Sequence, residues 1–390
     1  MKRSILAMLM LTAAAAGQAA AQNIPSTNPP PLVNPNPGIP VTPIVILPPL
    51  GPDPAINESD RIAWQLFVQI NAPAATTGNN NVLFETWASD DQTFTQNPQW
   101  PTTAPMMALK TPALLRFAPQ DNVLRPQIVP GGGEEVRRNK DAFDFIVSNN
   151  LFTQSGLKAA FQAKKDITFP SGAIEVKAFW VPANTVNASE YHLNSVGGQQ
   201  FALVSMHIIS KEVPNWTWAT FEHQSNLGRC DFIGCHDSFG ATTQNVAAKT
   251  PTGQSYPACA KTLALQTMIA NGKLEAAYAN YCLKGSQVDF ITSTGLPTRL
   301  GNSFIEQGFV NTSSCITCHS RASTDATGGS PQGAGFLNPP IPAVCPTPGS
   351  CSPNGAPNPT WFWNNPGQPN QSIKTLPTDF VWAIPLNAIP

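Results

Sequence analysis

Five consecutive residues, Cys315-Ile316-Thr317-Cys318-His319, constrain this chain more than anything else in it. Two thiols separated by two residues reach the two vinyl groups of one haem and form thioethers. The adjoining imidazole then falls under the iron as its proximal ligand. The pattern asks for a fold that wraps a large, flat, covalently held group. A dithiol redox pair and half of a zinc site share the same Cys-x-x-Cys. The redox pair is expected beside a βαβ pattern, whereas this motif follows the polar run Asn311-Thr312-Ser313-Ser314. A tetrahedral zinc site needs two further ligands at paired spacing, and none is evident. Haem c is the reading that also uses His319.

Attachment of haem in this way takes place on the exported side of a membrane, and the start of the chain agrees. Lys2 and Arg3, then an apolar run from Ile5 to Ala16, then the small residues Ala19-Ala20-Ala21, have the layout of a signal peptide over residues 1–21. The apolar run is shorter than the roughly 20 residues of a spanning helix. No later stretch is long and apolar enough to cross a bilayer. Without Lys2 and Arg3 the formal charge moves from -1 to -3, which offers no basic field for nucleic acid or anionic lipid. Periplasm or extracellular space is the expected location.

Eight cysteines in an exported chain are expected to be mostly cross-linked. Proximity along the chain suggests Cys259–Cys282 and Cys345–Cys351 as disulfides. Cys230 and Cys235 carry a second, weaker motif, because His236 follows them. Four residues between the cysteines is a spacing that some multihaem cytochromes use, which would make the chain di-haem. The plainer alternative is a local disulfide, Cys230–Cys235, closed with the help of Gly234.

Pro and Asn crowd residues 22–56, which read as an extended linker. The short apolar run Ile44-Val45-Ile46-Leu47 inside it suits an edge strand. Residues 57–390 read as one haem domain of the α+β class, large and irregular. Long Pro/Gly-rich loops, Gly328 to Pro357 above all, connect its elements. Helices are predicted at Ser59–Ile70, Asp141–Val147, Gly156–Ala163, Lys261–Ala270 and Leu274–Leu283. A small antiparallel sheet is predicted in mid-chain from Ala173–Val181, Phe201–Ser210 and Trp216–His223.

The face of the iron opposite His319 needs an occupant or stays open. Candidates are His192, His207 and His223, and the methionines Met106, Met107, Met206 and Met268. Strand alternation sets Leu203, Ser205, His207 and Ile209 on one face and Val204, Met206 and Ile208 on the other. If Val213-Pro214-Asn215 turns the chain, Trp216, Trp218, Thr220 and Glu222 share one face of the next strand. Thr217, Ala219, Phe221 and His223 then share the other. A one-residue slip in register exchanges these sets, so His207 and His223 both stand as candidate distal ligands.

Several further blocks carry a family resemblance. These are Trp64-Gln65-Leu66-Phe67-Val68 with Asn71, Glu85-Thr86-Trp87, Ile174-Glu175-Val176-Lys177-Ala178-Phe179-Trp180, Trp216-Thr217-Trp218-Ala219-Thr220-Phe221-Glu222-His223 with Asn226, Asn302-Ser303, and Thr378-Asp379-Phe380. Across nearly all of the chain after the linker, they resemble uncharacterised, exported bacterial cytochrome c family proteins. The resemblance implies haem and export, draws attention to His223, and implies no reaction.

Electron transfer with a redox partner protein is the leading expectation, although a simple one-haem carrier needs far fewer residues. The alternatives are a haem enzyme of peroxidase or oxygenase type, acting on a small molecule at an open distal site, and a binding or sensor module. No catalytic residue is singled out by the sequence.

Overall fold

Apolar alternation is strongest in mid-chain, and there the backbone builds an antiparallel sheet. The computed structural model describes residues 50–51, 53–74, 81–110, 130–307, 310–330, 355–357 and 375–390. Its main sheet has seven strands: β1 (Ala88–Ser89), β2 (Gly133–Arg138), β3 (Ile174–Pro182), β4 (Leu193–Val196), β5 (Gln199–Ser210), β6 (Thr217–His223) and β7 (Tyr281–Gln287). They run in the order β1-β2-β3-β5-β6-β7, with β4 paired to the start of β5. The described helices are α1 (Pro54–Asn57), α2 (Ser59–Ile70), α3 (Asp90–Thr93), α4 (Lys140–Ser148), α5 (Gln154–Gln162), α6 (Leu263–Asn271), α7 (Cys315–His319) and α8 (Ala383–Asn387), with several 3-10 turns between them. The class is α+β. The residues read as a signal peptide, most of those read as a linker, with Ile44–Leu47, and the suggested Cys345–Cys351 pair lie outside the described residues.

The sheet is larger than the sequence suggests, for two physical reasons. Strand β2 reads Gly-Glu-Glu-Val-Arg-Arg, a run that looks solvated. Here it is buried, because each charge has a built partner. Arg137 donates to the carbonyls of Glu85 (2.8 Å) and Trp87 (2.9 Å) and pairs with Glu135 at 2.6 Å. Arg138 pairs with Asp90 at 2.5 Å and with Glu175 at 3.1 Å. Second, the expected helix Leu274–Leu283 is corrected. A 3-10 turn, Ala276–Asn280, leads into β7, whose Tyr281 and Leu283 face the core. Pairing along β6 outweighs the local helix preference of Leu274 to Ala279, since strand formation is set by cross-strand packing.

Two bulges decide which face each side chain takes. Between β3 and β5 the pairing passes from Phe179↔Ser205 to Trp180↔Leu203, so Val204 is the extra residue. Leu203 therefore joins Met206 and Ile208 in the core, not His207 as simple alternation predicts. Between β6 and β7 the pairing shifts at Thr220/Phe221, and Lys284 is the extra residue.

One face of the sheet is dry. The apolar stripe of α2 packs there, with the Trp64 ring 4.9 Å and the Phe67 ring 4.4 Å from that of Phe221. Trp64 Nε1 donates to Asp237 at 2.8 Å. Helix α6 adds Leu265 and Met268. The opposite face carries Lys177, His207, Trp218, Thr220 and Glu222, and it receives α4, α5, α7 and the 300–307 loop.

At the rim of the dry face, His192 is clamped between Glu85 and Glu275, each 2.9 Å from a ring nitrogen. Burial alone would depress its pKa. The hydrogen bonds and charges of Glu275 and Glu85 together outweigh burial and raise it to about 9. A folded-state pKa above the unfolded value near 6.5 stabilises the fold fully below that lower value, and the contribution is lost as pH rises through about 9. Urea midpoints measured from pH 6 to 10 should fall over that window, and His192→Gln should flatten the fall.

Candidate functional site

Helix α7 is only five residues long, too short to stand without help at its ends. At its start, Gln287 of β7 accepts from the backbone N–H of Ile316 (3.3 Å) and donates to Ser314 Oγ (3.2 Å). At its end, Trp382 Nε1 donates to the Cys318 carbonyl at 3.0 Å. Ile316 is fully buried among Trp218, Leu300 and Val381. Two of the anchors, Trp382 and Val381, come from the segment that follows β9 (Leu376–Pro377). That segment is brought alongside by pairing with β8 (Ser323–Thr324) and by Thr378 N–H donating to the Ala322 carbonyl at 2.9 Å.

His319 closes α7. Its Nδ1–H donates to the Phe380 carbonyl at 2.8 Å, and its ring lies 4.7 Å from that of Trp218. This fixes the tautomer and leaves the lone pair on Nε2. Burial, helped by the charge of Lys177, pulls its pKa down to about 3, so the ring is neutral. Burial also raises the Cys315 thiol well above its usual range and Cys318 to about 11. Both cysteines lie outside the disulfides.

The Phe380 carbonyl is held in place by an unusual backbone. Asp379 (φ 50°) and Phe380 (φ 70°) both sit in the left-handed region, which costs an ordinary residue about 1–3 kcal/mol. The conformation is enforced by Asp379, whose carboxylate pairs with Lys211 at 2.7 Å and accepts from Phe169 N–H at 2.8 Å. Lys211 in turn donates to the Pro214 carbonyl at 2.8 Å in the β5–β6 turn.

The register of β5 with β6 separates the two candidate distal histidines. His207 pairs with Thr220, and Ile209 with Trp218, so His207 shares the face on which α7 lies. His223 points to the dry face. There it stacks on Tyr191 with centroids 3.6 Å apart, donates from Nε2 to the Glu190 carbonyl (3.1 Å) and accepts at Nδ1 from Ser225 N–H (3.2 Å). Burial lowers its pKa to about 4. His223 and α7 are thus on opposite sides of the sheet, and His223 is not brought to the motif.

His207 sits in a charged cluster that alternation alone did not reveal. Its Nε2–H donates to Glu306 at 2.9 Å, and Nδ1 pairs with the Thr220 hydroxyl. Glu306 also accepts from Asn302 N–H at 2.6 Å. Burial would raise the Glu306 carboxyl, but the charge and hydrogen bond of His207, the Asn302 N–H and the charge of Lys177 together outweigh it, and the net shift is downward. Lys177 pairs with Glu134 at 3.5 Å. The charges of Lys177, His207 and Glu306 all act on His319, and those of Lys177 and Glu306 act on both thiols. Beside them, Glu222 accepts from Ser303 N–H at 2.9 Å.

The second motif is not assembled as a haem site. Cys230 and Cys235 are joined in a disulfide, with the Arg229 guanidinium 3.2 Å from Cys230 Sγ. His236 is exposed and donates to the Ile233 carbonyl at 3.0 Å. Cys259–Cys282 is the other disulfide among the described residues. Met206, Met107 and Met268 belong to the dry core, and Met106 is 80% exposed.

Sequence reasoning missed Glu306, Lys211 and Trp382. Asp379 and Phe380 stood in a quoted block, with nothing local to say that their carbonyl would meet His319. Set against known proteins, the chain matches no family model, no curated protein and no solved structure.

Lys211 and Asp379 are both nearly buried, so removing one leaves an uncompensated charge. Lys211→Met should lower unfolding free energy by about 3–5 kcal/mol, read from denaturant titration, whereas Lys140→Met, at an exposed pair, should change it by under about 1 kcal/mol.

Proposed function

We propose that this protein is an exported cytochrome of the c type. In this reading, Cys315 and Cys318 hold one haem covalently, His319 is its axial ligand, and the protein exchanges electrons with a redox partner. The observation that carries the reading is the His319–Phe380 hydrogen bond. An imidazole that donates one ring N–H to a backbone carbonyl, and keeps the other nitrogen unprotonated, has the support typical of a metal-ligating histidine. Here that imidazole closes the same short helix that bears both cysteines. When bound, the haem would supply a one-electron iron couple.

The remaining features agree with this reading. The Phe380 carbonyl makes His319 more basic and fixes its orientation, while Trp218 walls one side of its ring. The donor set fits the group: two cysteines outside the disulfides and one neutral imidazole, all on α7. The Cys230–Cys235 disulfide supports a count of one haem per chain. Two disulfides suit an oxidising compartment. No helix among the described residues is long and apolar enough to cross a membrane.

Expression in a host that attaches haem c provides the test. A pyridine haemochrome assay should count one haem per chain, and intact mass should show it covalently bound. Cys315→Ser with Cys318→Ser should abolish covalent attachment, while Cys230→Ser with Cys235→Ser should not change the count. A chain without covalent haem would refute the reading, and two haems would return Cys230, Cys235 and His236 to the site.

A further inference from the structure

We propose that, among the described residues, no side chain takes the iron's second axial position, and that the His207–Glu306 pair serves a small exogenous ligand there. The inference rests on the haem reading above and names what the haem meets on its other side.

Axial ligation by histidine needs an imidazole nitrogen with a lone pair to give. His207 has none. Its Nε2–H is committed to Glu306 at 2.9 Å, and Nδ1 is engaged by the Thr220 hydroxyl. If the ring is neutral, Nδ1 accepts from Thr220; if it is charged, neither nitrogen has a lone pair. Both partners are themselves anchored: Thr220 sits in the middle of β6, and Glu306 is held by Asn302 N–H at 2.6 Å. Turning the ring toward an iron would take from a buried carboxylate one of its two hydrogen bonds, a penalty of about 1–3 kcal/mol. The Lys177 amine, the other strong donor in this cluster, faces Glu134. The remaining imidazoles and thioethers of the described residues lie in the dry core, at its rim or on the exposed surface, as described above.

A second observation points to a ligand. Ser205 Oγ and Asn302 Nδ2 are fully buried, and neither has a hydrogen-bond partner among the described residues. Ser205 lies two residues before His207 on the same face, and the backbone of Asn302 holds Glu306. A buried donor without an acceptor is costly. Two of them beside a histidine–carboxylate pair suit a small molecule that accepts hydrogen bonds, such as a diatomic or a small anion of the cyanide or peroxide kind.

The test uses the protein with its haem attached and cyanide and carbon monoxide as probes. Optical and EPR spectra of the ferric form should be high-spin and should become low-spin as cyanide is added. The reduced form should bind carbon monoxide. His207→Gln should keep the high-spin spectrum and weaken cyanide binding about two- to tenfold, the worth of one hydrogen bond. A low-spin wild type that turns high-spin in His207→Gln would make His207 the axial ligand and overturn the proposal. So would a low-spin wild type that ignores both probes. The wild-type spectra decide the matter even if His207→Gln does not fold, and Thr220→Val, which keeps the imidazole, repeats the affinity measurement. Absence of haem in the pyridine haemochrome assay would instead refute the proposed function itself, and this inference with it.

Discussion

The register of β5 against β6 is the constraint on which the rest of the molecule depends. Setting His207 opposite Thr220 and Met206 opposite Phe221 sorts the sheet into two solvents. One face is hydrocarbon, filled by α2 and α6, and supplies much of the apolar burial that stabilises the fold. The other carries two smaller apolar clusters together with buried charges, and those charges are paired, Lys177 with Glu134 and His207 with Glu306. A slip of one residue would send His207 into the dry core and Phe221 out of it. The bulges at Val204 and Lys284 show how narrowly the arrangement is specified, since each reassigns a side chain without disturbing the central pairs.

On the charged face, the α7 helix is held by parts distant in sequence. Gln287 of β7 caps its start and Trp382 its end, while the Phe380 carbonyl accepts from the imidazole N–H. None of these contacts is worth more than about 1 kcal/mol alone. Their common value is geometric, since a ring fixed by one hydrogen bond and one aromatic wall has little freedom left. The two left-handed residues at 379 and 380 place the carbonyl, and the Lys211–Asp379 pair carries the cost of that backbone.

How much of this could be read in advance follows from the range of the forces involved. Cys315, Cys318 and His319 are a local pattern, legible without any other part of the chain. The α2 helix and strands β3, β5 and β6 were readable because their apolar periodicity is complete within each segment. Strand β2 was not, because Glu134 to Arg138 are tolerated inside only by partners such as Asp90 and Glu175 that lie elsewhere in the chain. The segment from Leu274 onward has helical composition, and only the edge of β6 makes part of it a strand. The choice between His207 and His223 required a register, and a register is a property of two strands at once.

The His319–Phe380 bond spans 61 residues, and this has a consequence for timing. A chain emerging amino end first presents Cys315 to His319 well before the segment around Asp379 arrives. During that interval the helix lacks its end anchor and the imidazole lacks its acceptor, so the five residues behave as an open peptide. The motif is therefore at its most accessible before the fold closes over it. Any machinery that must handle those two sulfurs has its window while the later segment is still undocked.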